Sequence, residues 1–185
     1  MRWATLTALA TAAFVFGGAA ASAEDFSAKF SGFQEVGGVG AAQTGAILSA
    51  GKATLDLSLD KKAQTLAFKL TYTGLGSPVT QAHIHFGKRH VGGGIFVFFC
   101  SNLANPPPGT QACPANGGTV TGTLTPASVI GPTAQGVAAG NFDALVVALE
   151  SNTAYGNIHT TLFPAGENRG QIHRDDDDRD GDHRH

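Results

Sequence analysis

Alternation of apolar and polar residues is the clearest pattern in the chain. In the stretch ATLDLSLD, Leu55, Leu57 and Leu59 alternate with polar residues, and TLAFKLTY at 65–72 repeats the same period of two. Successive side chains of a strand point to opposite sides, so each stretch predicts a strand with one buried face. The polar link at 60–64 between them predicts a hairpin. The same criteria predict further strands over 26–33, 45–50, 79–87, 94–100, 119–125, 156–163 and 169–173.

Two segments depart from this alternation. In NFDALVVALES the apolar residues recur at helical spacing after Asn141, which predicts a short capped helix over about 142–151. The run IFVFF at 95–99 is apolar on both faces, which is typical of a central, buried strand. Many short strands with a single helix predict an all-β fold, either a two-sheet sandwich or a flattened barrel.

The two ends of the chain differ in composition from its middle. Arg2, the apolar run at 6–16 and the small residues Ala21-Ser22-Ala23 follow the order of a signal peptide, so we expect residues 1–23 to be removed. This predicts a secreted or periplasmic protein. Residues 174–185 are rich in Asp and His and are predicted to form a solvated, disordered tail, which leaves 24–173 as one domain.

Charge and cysteine content exclude some functions. The net charge of −2 gives no basic surface for nucleic acid. No apolar segment after residue 23 is long enough to span a bilayer. In an exported chain, Cys100 and Cys113 are expected to form a disulfide that ties the long loop at 101–118, since no C-x-x-C spacing suggests a thiolate metal site.

The motif QAHIHFG places two histidines, His83 and His85, on one face of a predicted strand, together with Val79 and Gln81. The opposite face of that strand is apolar and is predicted to pack in the core: Ala82, Ile84 and Phe86. A second polar row contains Asn157 and His159. After a turn at 164–166 it is continued by two residues on a returning strand, Arg169 and Gln171.

These two rows are the candidate functional site. If the strands at 79–87 and 156–163 are neighbours, His83, His85 and His159 converge. Neutral imidazole is a ligand suited to copper and zinc, so the three residues form a candidate metal site. The alternative is a structural network in which the histidines hydrogen-bond Asn157, Gln171 or Glu167.

Three segments, in the order in which they occur, carry a family resemblance: FSGFQEVGGVGAAQTGAI, QAHIHFG and NIHTTLFPAGENRGQI. Over about residues 26–173 the chain resembles a CHRD domain, the module repeated in chordin and found singly in bacterial exported proteins. The resemblance implies an immunoglobulin-like Greek-key sandwich of the Cu/Zn superoxide dismutase type. Asn168 departs from the family pattern, in which an apolar residue is common at this position.

Three functions are compatible with these observations. The first is an exported, non-catalytic module whose polar face binds a metal ion, a glycan or a protein through Gln81, His83, His85, Asn157, His159, Arg169 and Gln171. The second is a copper-dependent dismutase-like protein with His90 as a fourth ligand and Arg169 attracting superoxide. Against a copper–zinc enzyme, the 101–118 segment contains no His or Asp for a second metal. The third is a structural protein of the envelope or matrix.

Overall fold

The computed structural model describes residues 23–37 and 45–175. Residues 1–22 of the predicted signal peptide, and the predicted tail from residue 176 onwards, lie outside the described residues. Within those ranges the chain forms nine β-strands and one α-helix: β1 (Glu24–Phe30), β2 (Lys52–Asp60), β3 (Thr65–Thr73), β4 (Val79–Phe86), β5 (Gly94–Ser101), β6 (Gly118–Leu124), α1 (Phe142–Glu150), β7 (Ala154–Thr160), β8 (Asn168–Gln171) and β9 (His173–Arg174).

The strands build two antiparallel sheets. The first sheet has the order β6-β3-β2-β1-β9 and the second has the order β5-β4-β7-β8. The connections from β3 to β4, from β5 to β6 and from β6 to β7 each cross from one sheet to the other. An isolated bridge between Ser31 and Arg169 also joins the end of β1 to β8. The predicted all-β sandwich with one short helix is confirmed.

The β2–β3 hairpin shows how alternation builds the core. Leu55, Leu57 and Leu59 are buried, as are Leu66 and Leu70 on the facing strand. The two strands pair in register from Lys52 with Thr73 to Asp60 with Thr65. The predicted hairpin is therefore confirmed, and its apolar face packs toward the second sheet.

The predicted helix is also present. Asn141 caps α1, and its side-chain Oδ1 accepts a hydrogen bond from the backbone N–H of Ala144 at 3.1 Å. Phe142, Leu145 and Leu149 form the buried side of the helix. No helix in the described part of the chain is long and apolar enough to cross a membrane.

Some predicted strands differ from the structure, and the one predicted at 169–173 divides into β8 and β9, which lie in different sheets. Residues 45–50 form no strand: the N–H of Ile47 donates to the carbonyl of Gly32, and the hydroxyl of Ser49 donates to Glu167. This segment is thus held by individual hydrogen bonds to Gly32 and Glu167, and not by the repeated backbone hydrogen bonds of a β-sheet. The first strand ends at Phe30, because Gly32–Gln34 turns into a short 3₁₀-helix.

The interpretation of IFVFF as a central strand is also wrong, because β5 is an edge strand. Three of its apolar residues, Phe96, Val97 and Phe99, are nevertheless buried, while Ile95 and Phe98 are half-buried. Phe96 and Phe99 pack in the core, while the ring of Phe98 meets the edge of His83 on the outer face, with 4.2 Å between ring centroids. The expected disulfide is confirmed, and it joins Cys100 at the end of β5 to Cys113 in the following loop.

Two glycines in the second sheet make room for one large side chain of the first. A Cβ atom added at Gly156 would lie 2.2 Å from the ring of Phe30, and one added at Gly170 would lie 2.8 Å from the same ring. The absence of a side chain at these positions lets Phe30 fill the space between the sheets. The opposite, outer face of the second sheet carries the polar rows found in the sequence.

Candidate metal centre

Strands β4 and β7, whose adjacency was only a condition in the sequence-based prediction, are neighbours and antiparallel. Their register places Gln81 opposite His159, His83 opposite Asn157, and His85 opposite Tyr155. Ala82 and Ile84 alternate with the histidines and lie in the core, as predicted, so the imidazoles stand on the outer face of the sheet. His83, His85 and His159 come together there, and one ring nitrogen from each lies within 4.8 Å of the others.

The face assignment of Val79 is the exception. The sequence placed Val79 on the side of the histidines, but the register of β4 against β7 shifts between Val79 and Gln81. Val79 consequently belongs to the core and is 2% exposed. Strict alternation fails where the register shifts, so the predicted face of Val79 was wrong.

Loops cover the histidine cluster, so an outer sheet face is nevertheless buried. His83 is fully buried, and His85 and His159 are each 8% exposed. The ring of His83 lies 4.9 Å from that of His159 and 5.3 Å from that of His85, centroid to centroid. The residues that cover the cluster come from the 87–93 loop and from the turn after β7.

Each of the three rings is oriented by one oxygen acceptor. His85 Nδ1 lies 2.9 Å from the carbonyl of Gly93, and His159 Nδ1 lies 2.9 Å from the carbonyl of Pro164. His83 Nε2 lies 3.0 Å from the side-chain oxygen of Gln81. Because these oxygens only accept, each of these ring nitrogens donates its N–H. In a neutral imidazole the other nitrogen then carries the lone pair.

Those other nitrogens are the ones left without a partner. His83 Nδ1, His85 Nε2 and His159 Nε2 are buried and have no hydrogen bond to any group in the described part of the chain. An orienting N–H bond to a carbonyl on one nitrogen, with the lone pair free on the other, is the arrangement seen in metal-ligating histidines.

Burial keeps the cluster uncharged. Desolvation lowers the pKa of all three histidines, to about 3 for His85 and well below the ordinary value for His83. Proximity among the rings lowers the pKa values of His83 and His85 further, since two nearby imidazolium charges would repel each other. The neutral form that results at ordinary pH is the form that binds metal ions.

Tyr155 and Arg169 support the cluster from the side of β8. The Tyr155 ring stacks on His85 with 4.8 Å between centroids and 4° between planes, and the Arg169 guanidinium lies 3.5 Å from the Tyr155 ring centroid. Arg169 also donates to the carbonyls of Lys88 and Val91. Arg169 thereby ties down the loop whose Gly93 carbonyl orients His85.

The remaining predicted site residues differ in burial and in their contacts with the cluster. Gln171 is buried, and its Nε2 lies within hydrogen-bond distance of three backbone carbonyls, those of Gly87, Asn152 and Ala154. Gln81 is half-buried and contacts His83. His90 lies exposed in a turn with a positive φ of 64°, outside the three-histidine cluster.

One functional group was not singled out from the sequence. The Glu35 carboxylate is buried at the edge of the site, where it accepts a 2.6 Å hydrogen bond from the Asn157 side chain. Burial raises the pKa of Glu35 to about 7, although Asn157 and the nearby Arg169 charge act in the opposite direction. Nothing in the local pattern FQEV indicates burial, because Glu35 is buried against Asn157 of β7, which lies 122 residues later in the sequence.

Comparison with known proteins gives one family. The family model for the CHRD domain matches residues 26–172, which is most of the chain. No curated protein and no solved structure matches.

Proposed function

Because the chain belongs to the CHRD domain family, we propose that it is an exported, non-catalytic binding module that holds one copper or zinc ion through His83, His85 and His159. The disulfide is compatible with export, since such bonds persist in oxidising compartments. The proposed signal peptide, cleaved after Ala23, would provide the route.

The observation that carries this proposal is the convergence of three unpartnered ring nitrogens. A purely structural network would be expected to pair them with Asn157, Gln171 or Glu167. Instead, Asn157 donates to Glu35, Gln171 bonds backbone carbonyls, and Glu167 accepts from Ser49, Gly76 and Thr160. Each buried acceptor left without a partner costs about 1–3 kcal/mol, and a bound ion would remove that cost at all three positions.

The ligand chemistry fits copper or zinc. Both ions bind imidazole nitrogen, with bonds of about 2.0–2.1 Å for zinc. Bonds of that length place neighbouring nitrogens roughly 3.4–3.6 Å apart, so the present separations, which reach up to 4.8 Å, would contract on binding. Small movements of the rings can shorten these separations, because each ring is hydrogen-bonded through only one nitrogen.

Two observations favour binding over dismutase catalysis. His90, the residue considered as a fourth ligand, lies outside the cluster and is exposed. Arg169, considered as the group that attracts superoxide, is 2% exposed and its guanidinium is engaged by carbonyls and by the Tyr155 ring. His90 is therefore not placed to be a ligand of an ion in the cluster, and Arg169 is not free to act on a small anion from solvent.

Metal analysis of the exported chain tests the proposal. The protein is purified after export in medium supplied with copper or zinc, and bound metal is measured by elemental analysis. We expect about one ion per chain, and we expect it to be lost in His83→Ala/His85→Ala and in His159→Gln. His90→Ala is the matched control and should retain the ion.

Circular dichroism of each variant separates loss of the ion from loss of the fold. A chain that contains no stoichiometric copper or zinc after metal-replete expression would refute the proposal. So would metal that is retained in a folded His83→Ala/His85→Ala variant. A superoxide assay on the loaded protein should show no dismutation above that of the His159→Gln variant.

A further inference from the structure

The charges around the histidine cluster distinguish between the two candidate ions. We propose that the site selects by ionic charge and holds copper(I) in preference to zinc(II). This inference rests on the proposed metal-binding function and names the ion that the same three residues favour.

All the groups that orient the histidines are uncharged. Gln81 provides an amide oxygen, and Gly93 and Pro164 provide backbone carbonyls. Zinc-binding histidines are frequently oriented by a carboxylate, whose negative charge offsets part of the charge of the dication. No aspartate, glutamate or cysteine joins the three histidines in the described residues.

A fixed positive charge lies beside the cluster. Arg169 lies over the ring of Tyr155, which stacks on His85, and its charge acts on His85. The opposing carboxyl is that of Glu35, which is reached through Asn157 and carries a full negative charge only above neutral pH. An ion in the cluster thus faces one permanent cation and one partly ionised acid.

The cost of burying an ion makes this environment selective. The solvation energy that an ion loses on burial grows with the square of its charge, so the loss is about four times larger for a dication than for a monocation of similar size. Three neutral imidazoles offset this loss by ligand bonds alone. A monovalent ion is therefore penalised much less in this site than a divalent ion.

Coordination number points in the same direction. Zinc sites complete a tetrahedron with a fourth ligand, and a site with three protein ligands leaves that position to water or substrate. The three unpartnered nitrogens are shielded from solvent, and Tyr155 and Phe98 lie against His85 and His83 respectively. Copper(I) is satisfied by three nitrogen ligands and has no need of a water molecule in this space.

A competition experiment tests the inference on the exported, disulfide-bonded protein. Under anaerobic conditions, copper(I) is offered as its bicinchoninate complex, and zinc(II) is offered separately with a chromogenic chelator of known affinity. We expect the wild-type protein to take copper(I) from bicinchoninate and to bind zinc(II) at least about 100-fold more weakly. A factor of about 100 is the upper end of the change in metal affinity that groups around the ligands usually cause.

The substitution Gln81→Glu supplies the missing negative charge next to His83 without altering a ligand. It should raise the affinity for zinc(II) by about 10- to 100-fold and should change that for copper(I) much less. Thr54→Glu is the matched control. It adds the same charge at an exposed position on the other sheet, and should leave both affinities unchanged.

The outcomes separate this inference from the proposed function. Zinc(II) bound as tightly as copper(I) by the wild-type protein would overturn the charge selection and leave the metal-binding function standing. Equal gains for the two ions in Gln81→Glu would also overturn it. If neither ion binds to the wild-type chain, both proposals fail. The wild-type affinity ratio decides the question even if Gln81→Glu does not fold.

Discussion

Asn168 offers the sharpest test of the packing described above. Its side chain is fully buried on the core side of β8, near Leu75, and neither its amide nitrogen nor its amide oxygen has a hydrogen-bond partner among the described residues. We predict that Asn168→Leu, which is similar in size and carries no polar atoms, stabilises the protein.

The magnitude follows from the two unpaired groups. A buried donor or acceptor without a partner costs about 1–3 kcal/mol, and a volume-conserving change in a packed core typically costs less than about 1.5 kcal/mol in strain. The expected net gain in the free energy of unfolding is about 2 kcal/mol. For a domain of this size that corresponds to roughly 4–8 °C in Tm.

Urea unfolding followed by circular dichroism measures this gain, and the same substitution at Gln171 is the matched control. Gln171 is also a buried amide on β8, but its Nε2 lies within hydrogen-bond distance of three carbonyls. Gln171→Leu should therefore destabilise the protein by about 1–3 kcal/mol. A folded Asn168→Leu variant that is less stable than the wild type by 1 kcal/mol or more would refute the reasoning, because it would mean that the Asn168 amide is satisfied.

Three further predictions concern other parts of the fold. Burial raises the pKa of Glu35 from 4.5 to about 7, so the folded state holds a proton that the unfolded state loses over this range, and stability falls as pH rises through it. In the metal-free protein, the unfolding free energy of Glu35→Gln minus that of the wild type should therefore rise by about 3 kcal/mol from pH 4.5 to pH 7, because only the wild type loses stability over this range. A difference in unfolding free energy that stays constant across this pH range would contradict the prediction. Replacing both Cys100 and Cys113 with Ser should lower the free energy of unfolding by about 3 kcal/mol, because the bond closes a loop of moderate length. Equal urea midpoints for the two proteins would contradict this. Finally, Gly156→Ala should cost about 1–3 kcal/mol, since the added methyl meets the Phe30 ring. Phe30→Leu should lower the free energy of unfolding less in the Gly156→Ala variant than in the wild type. Strictly additive changes in this free energy would show that the two positions are not in steric contact.

Much of the fold follows from local patterns in the chain. The period of two in β2 and β3 predicts which leucines are buried, and the helical spacing after Asn141 predicts α1 with its cap. These features depend on residues close in sequence, so they can be found without knowing the topology. The predictions that failed depend on neighbours. Residues 45–50 have strand-like composition but pair with no strand, and IFVFF lies at a sheet edge, where Phe96, Val97 and Phe99 pack in the core while Ile95 and Phe98 are only half-buried.

In the candidate site too, some features follow from local patterns and others depend on distant segments of the chain. Alternation alone predicts that His83 and His85 leave one face of a strand, and the second polar row makes His159 a candidate on another strand. The pairing of β4 with β7, the burial of Val79 and the contacts of the three rings with Gly93, Pro164 and Gln81 follow only from the folded arrangement. This arrangement also brings Glu35, Tyr155 and the guanidinium of Arg169 to the cluster. Alternation acts between residues two apart, whereas burial and charge depend on segments far apart in the sequence, such as those of Glu35 and Asn157, which are separated by 122 residues.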